Sequence, residues 1–232
     1  GQPWSGPDGR RQGGYAGWMQ ASALSAAAAR LPADAVVRAK RVKLELAPEA
    51  PGADGRTMEL SMGSRLSIGS ESGPWTSVRL ADGRPARLPS AALRRLEPPS
   101  PPSVERLLQA AGLFDGDAYV WGGRSSVHAD PAWGVDCSGL VHLAYATEGV
   151  VVPRDAHDQH LKARPVRRAE LAPGDLVFLS APGARARVTH VMLYAGGESL
   201  IESRQDAGRA LRTTFTERFG RPLSALESGD RV

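Results

Sequence analysis

Cys137 is the single cysteine of the chain, and its neighbours suit a nucleophile. It stands in the stretch Asp136-Cys137-Ser138-Gly139, directly before an apolar segment over residues 140–144. Asp136 is a favourable N-cap residue, so the thiol is predicted to lie in the first turn of a helix. Backbone N–H groups and the helix dipole favour negative charge there, and therefore the nucleophilic thiolate. The alternative is a buried structural cysteine, although such a residue usually lies within an apolar run.

A thiolate nucleophile needs a general base, and the chain offers five histidines. His190 lies on a well-marked strand over residues 188–195, which a Gly-Gly pair and a return strand over residues 199–203 follow. We therefore predict His190 as the base. His157 and His160 have the spacing of a metal-binding pair, but no second cysteine and no third ligand at useful spacing accompany them. The sequence predicts no metal and no other cofactor.

The partner of His190 depends on the register of this hairpin. A three-residue loop over residues 195–197 places Glu202 directly opposite His190 on the same face. A two-residue Gly-Gly turn instead opposes His190 to Ser203 and sends Glu202 to the other face. We favour Glu202, because a carboxylate on the imidazole N–H fixes the tautomer and stabilises the imidazolium. A solvated Glu202 without a role is the remaining alternative.

Composition and an internal repeat predict strand-rich modules ahead of these residues. The chain has 232 residues with 26 Gly and 18 Pro, an excess of turn formers that favours short strands over a helical bundle. Residues 14–24 align with residues 83–93 at a constant offset of 69. We interpret this repeat as two copies of one small β module. The first, over residues 1–30, is partial, and the second, over residues 31–97, has roughly five short strands.

A proline-rich linker over residues 98–102 separates the modules from the rest of the chain, because consecutive prolines hold an extended conformation. Ser103 then predicts the N-cap of a helix that Gly112 ends, with apolar residues at helical spacing between them. A new domain, residues 103–232, begins here. Within it we expect a helix after Asp136 and strands over residues 175–179, 188–195 and 199–203.

The composition also excludes several classes of protein. The net charge of +4 comes from basic residues that are scattered along the chain, so no nucleic-acid partner is predicted. No apolar run approaches the roughly 18 residues that a membrane-spanning helix needs. One cysteine forbids an intrachain disulfide. We expect a monomer without a membrane span.

Five ordered motifs resemble those of the NlpC/P60 cysteine peptidases. The resemblance implies an α+β fold with a papain-like catalytic core, in which the cysteine helix packs against a sheet that carries the histidine. It also implies hydrolysis of peptidoglycan stem peptides. The motifs lie at residues 119–123 (Tyr-Val-Trp-Gly-Gly), 134–141, 153–156, 173–178 and 190–194.

The N-terminal modules resemble bacterial SH3 domains, small all-β SH3-like barrels. Together with the tail over residues 212–223, they make the chain similar to the γ-D-glutamyl-L-diamino acid endopeptidases, also called dipeptidyl-peptidase VI. That branch implies cleavage between γ-D-Glu and diaminopimelate or Lys in a muropeptide with a free N-terminal L-Ala. It also implies a protein of the cell envelope or a secreted one, or alternatively a cytoplasmic enzyme of wall recycling.

The resemblance assigns a role to each matching residue. Cys137 becomes the nucleophile and His190 the base. Arg154 is a candidate partner for a substrate carboxylate, and a surface turn residue is the competing interpretation. The Tyr119 hydroxyl is a candidate oxyanion donor. The residues expected to line the substrate site are Tyr119, Asp136, Ser138, Arg154, Asp155 and Tyr15.

Three departures separate the chain from the family pattern. Glu202 stands where most members have His, Asn or Gln, and Ala156 replaces a common Ser. The first module also lacks the half from which an acidic residue for the substrate amine would come. Two other functions therefore stay open: a wall-binding protein with weak catalysis, and a thiol acyltransferase or amidase acting on another substrate.

Overall fold

The computed structural model describes residues 4–5, 11–12, 20–23, 33–48, 56–96, 101–127, 133–181, 187–227 and 229–230. Most of the predicted first module, Tyr15 included, therefore lies outside the described residues. Two short strands are described there, β1 (Trp4–Ser5) and β2 (Arg11–Gln12), which pair antiparallel. A 3₁₀ turn over Ala21–Ala23 matches one over Ser90–Ala92, at the offset of the sequence repeat.

The second module forms an antiparallel sheet of seven strands rather than the predicted five, in the order β5-β4-β8-β7-β6-β3-β9. The chain over residues 35–46 is interrupted around Arg38–Lys40 and forms two strands. Alternate residues of β4 point inward, because the side-chain period of a strand is two. The strands are β3 (Ala35–Val37), β4 (Arg41–Leu46), β5 (Thr57–Ser61), β6 (Arg65–Ser72), β7 (Trp75–Arg79), β8 (Pro85–Pro89) and β9 (Leu93–Arg95).

The C-terminal part combines helices with a four-stranded antiparallel sheet, β12-β13-β14-β15. The predicted helix at Ser103 is confirmed, and the Ser103 hydroxyl accepts a hydrogen bond from the Arg106 N–H at 3.4 Å. The three predicted strands are also present, whereas β15, α3 and α4 were not predicted. The elements are α1 (Val104–Gly112), β10 (Arg124–Ser125), β11 (Gly134–Val135), α2 (Cys137–Thr147), α3 (Ala156–Lys162), β12 (Leu176–Ser180), β13 (Val188–Gly196), β14 (Ser199–Arg204), β15 (Arg209–Thr214) and α4 (Phe215–Phe219).

Helix α2 is the centre of this part, and it is buried on nearly every side. Leu140 and Leu143 join one apolar cluster with Leu193 and Ile201 of the sheet. Val141 lies in a second cluster with Cys137. Each fully buried aliphatic side chain contributes roughly 1.5–3 kcal/mol. The first turn of α2 is therefore held in a fixed position by its packing.

The N-terminal sheet packs against the same helix. Met62, in the β5–β6 turn, is 1% exposed and belongs to the apolar cluster of α2. Gly63 follows with a φ of 80°, and a Cβ there would lie 3.1 Å from Leu143. The buried Glu148 carboxylate, just after α2, pairs with Arg94 of β9 at 2.6 Å. Among the described residues, no helix is both long and apolar enough to cross a membrane.

Candidate active site

Cys137 is the first residue of α2 and is 8% exposed. Asp136 caps the helix, as predicted, and its Oδ1 accepts a hydrogen bond from the Gly139 N–H at 2.6 Å. Its Oδ2 accepts one from the Gly122 N–H at 3.0 Å. Because this N–H belongs to the turn over residues 121–123, which we call the Trp-Gly-Gly turn, one carboxylate joins that turn to the helix end that carries the thiol.

Arg154 forms a two-pronged ion pair with Asp136. Nη1 donates to Asp136 Oδ1 at 3.0 Å and Nη2 donates to Oδ2 at 2.7 Å. The same two nitrogens also donate to Ser138 Oγ at 2.9 Å and to the Gly123 carbonyl at 3.3 Å. Arg154 is therefore partly buried rather than a free surface turn residue, and its contact with a substrate carboxylate stays a prediction. Arg154 supports the N-cap of the cysteine helix.

Two glycines allow the Trp-Gly-Gly turn to lie directly against α2. Gly122 has a φ of 75°, in the left-handed region that other residues avoid. Gly139 faces the backbone of the turn so closely that a Cβ on it would lie 2.1 Å from the Gly123 carbonyl oxygen. The Asp-Cys-Ser-Gly stretch therefore needs its glycine for packing, a requirement that the sequence pattern did not reveal.

Replacing Gly139 with Ala should lower the thermal midpoint Tm, because the end of α2 must move away from the turn. Overpacking of this kind costs about 1–3 kcal/mol, and in a chain of this size each kcal/mol lowers Tm by roughly 2–4 °C. Gly112→Ala is the matched control, since it also changes a helical glycine but its Cβ would meet nothing within 4 Å. Thermal unfolding followed by circular dichroism checks this, and equal Tm values for the two variants would contradict the contact.

His190 lies on β13 between Cys137 and Glu202. Its Nε2–H donates to Glu202 Oε2 at 2.6 Å, and Cys137 is close enough to the ring to act on its protonation. Burial disfavours the charged ring, but the hydrogen bonds to Cys137 and Glu202, together with their charges, outweigh it and raise the pKa of His190 to about 9. A protonated imidazole between two acidic groups is thus favoured at neutral pH.

The register that brings Glu202 to His190 differs from both predicted registers. Tyr194 pairs with Leu200, and a bulge between Tyr194 and Gly196 shifts the ladder before the turn. Glu202 shares the face of His190 but is offset diagonally rather than directly opposite, within the reach of long side chains. Ser203, the alternative partner, instead donates its hydroxyl to the Val135 carbonyl at 2.7 Å.

Glu202 is fully buried, at 0% exposure, and lies beside two arginines that no sequence motif indicated. Arg204 Nη1 is 3.7 Å from Glu202 Oε1, and Arg218 Nε is 3.3 Å from the same oxygen. Opposite charges at this range offset part of the cost of burying a carboxylate. Arg218 belongs to the tail over residues 212–223. That tail contributed to the family resemblance, but no contact was predicted for Arg218.

Tyr119 offers a neutral hydroxyl near the thiol. Burial, followed by the charges of Cys137 and Asp136, raises the pKa of Tyr119 to about 12, although the Arg154 charge opposes the shift. The phenol therefore keeps its proton at neutral pH and is able to donate a hydrogen bond to a developing oxyanion.

The other predicted substrate residues have mixed placements. Ser138 is 4% exposed and donates its hydroxyl to Asp136 Oδ1 at 3.1 Å, so it belongs to the support of the helix end. Asp155 is half-buried at the N-cap position of α3. Tyr15 lies outside the described residues. Within the described ranges, no three His, Cys, Asp or Glu side chains are grouped to hold a metal ion.

Comparison with known proteins finds similarity to one family. The profile of the NlpC/P60 family matches residues 116–223. A protein named gamma-D-glutamyl-L-lysine dipeptidyl-peptidase from Bacillus cereus is 30% identical over 156 residues, which are 66% of this chain and 45% of that protein. Peptidoglycan endopeptidase RipB from Mycobacterium tuberculosis is 36% identical over 133 residues, 53% of this chain and 50% of its own length. The chain thus spans about half of each of these relatives.

A solved structure extends the similarity beyond the matched domain. The crystal structure of an NlpC/P60 family protein from Bacillus cereus superposes with a TM-score of 0.69 at 26% identity. The superposition covers 78% of this chain and 58% of that one. The α+β architecture is therefore shared with it.

Proposed function

We propose that this chain, whose residues 116–223 match the NlpC/P60 family profile, is a cysteine-type peptidoglycan hydrolase. The observation that carries the proposal is the arrangement of His190, which donates a hydrogen bond to Glu202 and interacts electrostatically with Cys137. This is the order of nucleophile, base and orienting group that thiol acyl transfer requires. The relatives' names, one a dipeptidyl-peptidase and one a peptidoglycan endopeptidase, support the choice of reaction.

The proposed mechanism proceeds in two steps. The Cys137 thiolate attacks the amide carbonyl, and the Cys137 backbone N–H with the Tyr119 hydroxyl stabilises the oxyanion. The C–N bond then breaks while His190 gives its proton to the leaving amine, and the acyl group stays on sulfur as a thioester. Water attacks the thioester, His190 takes a proton from that water, and the acid leaves with the thiolate restored. Glu202 positions the ring and stabilises its charged form throughout.

The proposed scissile bond joins γ-D-Glu to L-Lys or diaminopimelate in a fragment with a free N-terminal L-Ala. The name of the Bacillus cereus relative supports the γ-D-Glu side of this assignment. Tyr15 is proposed to reach the Ala subsite, Asp155 to contribute a polar group on the substrate side, and the N-terminal modules to be SH3-like. Action on a wall fragment fits a location in the cell envelope or outside the cell, with cytoplasmic wall recycling as the alternative.

The test is the hydrolysis of L-Ala-γ-D-Glu-L-Lys, beside the same peptide with an acetylated N-terminus. Release of L-Ala-γ-D-Glu, followed by chromatography, is the expected result, and the acetylated peptide should react more slowly. Equal rates on both peptides would reject the requirement for a free L-Ala and keep the hydrolase. No cleavage of either peptide, with slow alkylation of Cys137 by iodoacetamide, would reject the peptidase and favour a wall-binding protein.

A further inference from the structure

A surface depression of about 560 Å³ borders the catalytic histidine. It lies at the turn that joins β14 to β15, and four of the five residues that line it are ionisable. Cys137 is not among its lining residues, so the depression reaches the site through His190. The residues that line it are His190, Arg204, Gln205, Asp206 and Arg218.

The two guanidinium groups of the depression are engaged to different extents. Arg204 donates through Nε and Nη2 to the two carboxylate oxygens of Asp206, at 3.0 and 3.1 Å. Arg218 Nε lies 3.3 Å from Glu202 Oε1, but both atoms are buried without hydrogen-bond geometry. In the part of the chain that the structure describes, no hydrogen bond occupies the Arg218 guanidinium. Arg218 therefore has planar donors available beside His190, and such a fork suits a carboxylate.

The chemistry of the reaction says which part of a substrate would lie there. In the proposed mechanism the acyl side binds Cys137, and the nitrogen of the leaving amino acid receives the proton of His190. The carboxylate carbon of an α-amino acid is only two bonds from that nitrogen. A leaving amino acid whose nitrogen contacts His190 therefore carries its α-carboxylate near the same ring, and the depression borders that ring.

We infer that this depression binds the α-carboxylate of the leaving diamino acid, with Arg218 as its anchor. This inference rests on the proposed function and specifies its substrate as a stem peptide that ends at the diamino acid. Arg218 would then determine substrate specificity, a role that no motif in the sequence indicated. Asp206 competes for the same site, since its carboxylate occupies the Arg204 fork at the rim.

The experiment compares L-Ala-γ-D-Glu-L-Lys with its C-terminal amide, which lacks only the anionic group. For the wild-type chain, kcat/KM should be about tenfold higher for the free acid, the value expected of one partly exposed charge-assisted contact. In Arg218→Gln this ratio should fall to about one. If the loss of Arg218 also lowers kcat through Glu202, it lowers kcat/KM for both substrates by the same factor, and this factor cancels in the ratio.

Two further variants complete the test. Arg212→Gln removes an exposed guanidinium that binds Ser199 Oγ on the same sheet, and it should keep the wild-type ratio. Asp206→Asn should raise the ratio, because it releases the Arg204 fork. A wild-type ratio of one, or an unchanged ratio in Arg218→Gln, would overturn the inference while amide hydrolysis keeps the proposed function. Hydrolysis of neither peptide would overturn both.

Discussion

Replacing Cys137 with Ala should abolish release of L-Ala-γ-D-Glu, with a fall in kcat of at least roughly 10³-fold. In the proposed mechanism the Cys137 sulfur forms the acyl-enzyme, and a methyl group has no lone pair for this bond. The side chain is small and nearly buried at the start of α2, so the N-cap contacts of Asp136 should survive the change. The Tm of the variant should therefore stay close to that of the wild type.

The single cysteine supplies its own control for this variant. Iodoacetamide should label one site per wild-type chain and none in Cys137→Ala, as mass spectrometry of the intact chain measures. Labelling and loss of activity should proceed at the same rate. Activity within tenfold of the wild type in Cys137→Ala would remove the thiol from the mechanism, whatever the family.

Replacing Glu202 with Gln should reduce kcat by about 10²-fold. It should also lower the pH at which activity is lost on the alkaline side. The sign follows from His190, whose pKa is raised to about 9 in part by the Glu202 hydrogen bond and charge. Leaving-group protonation needs the imidazolium, so the wild type should stay active until the pH rises through about 9. Without the carboxylate the pKa of His190 falls, and the alkaline limb of kcat/KM moves to lower pH.

The control for Glu202→Gln is Glu45→Gln, an exposed carboxylate of β4 that pairs with Arg87 at 2.7 Å. It should leave both kcat and the pH profile unchanged, because surface ion pairs contribute little. Tm is measured for both variants, since Glu202 is buried beside two arginines and its loss also costs stability. An alkaline limb at the same pH in Glu202→Gln and wild type would show that Glu202 does not act on His190.

Local sequence signals were sufficient to predict the helix that begins at Cys137 and the strand that carries His190. Asp136, Ser103 and their helices depend on contacts within one turn, and a sequence displays such contacts directly. The hairpin register was wrong because a bulge near Ala195 adds a residue that Gly-Gly alone does not reveal. The prediction that Glu202 shares the face of His190 is nevertheless correct. The predicted and observed registers differ by two residues, and the side chains of a strand return to the same face every two residues.

Contacts between distant residues were beyond the sequence pattern. Arg154 lies 18 residues from Asp136, and nothing in its own motif distinguishes a buried fork from a substrate ligand. Arg218 reaches Glu202 only because β15 and the short helix α4 turn back over the end of β14. The close approach of Gly139 to the Gly123 carbonyl likewise depends on how the turn and the helix meet in the folded chain.

The position of Met62 couples the stability of the N-terminal sheet to that of the C-terminal part. This side chain comes from the N-terminal sheet, yet it is buried among the apolar residues that hold the cysteine helix. Apolar surface buried from both sides couples the free energies of the parts, since opening either one exposes the other to water. The N-terminal sheet therefore contributes to the cooperative stability of the C-terminal part, and its removal would weaken the packing around the helix that begins at Cys137.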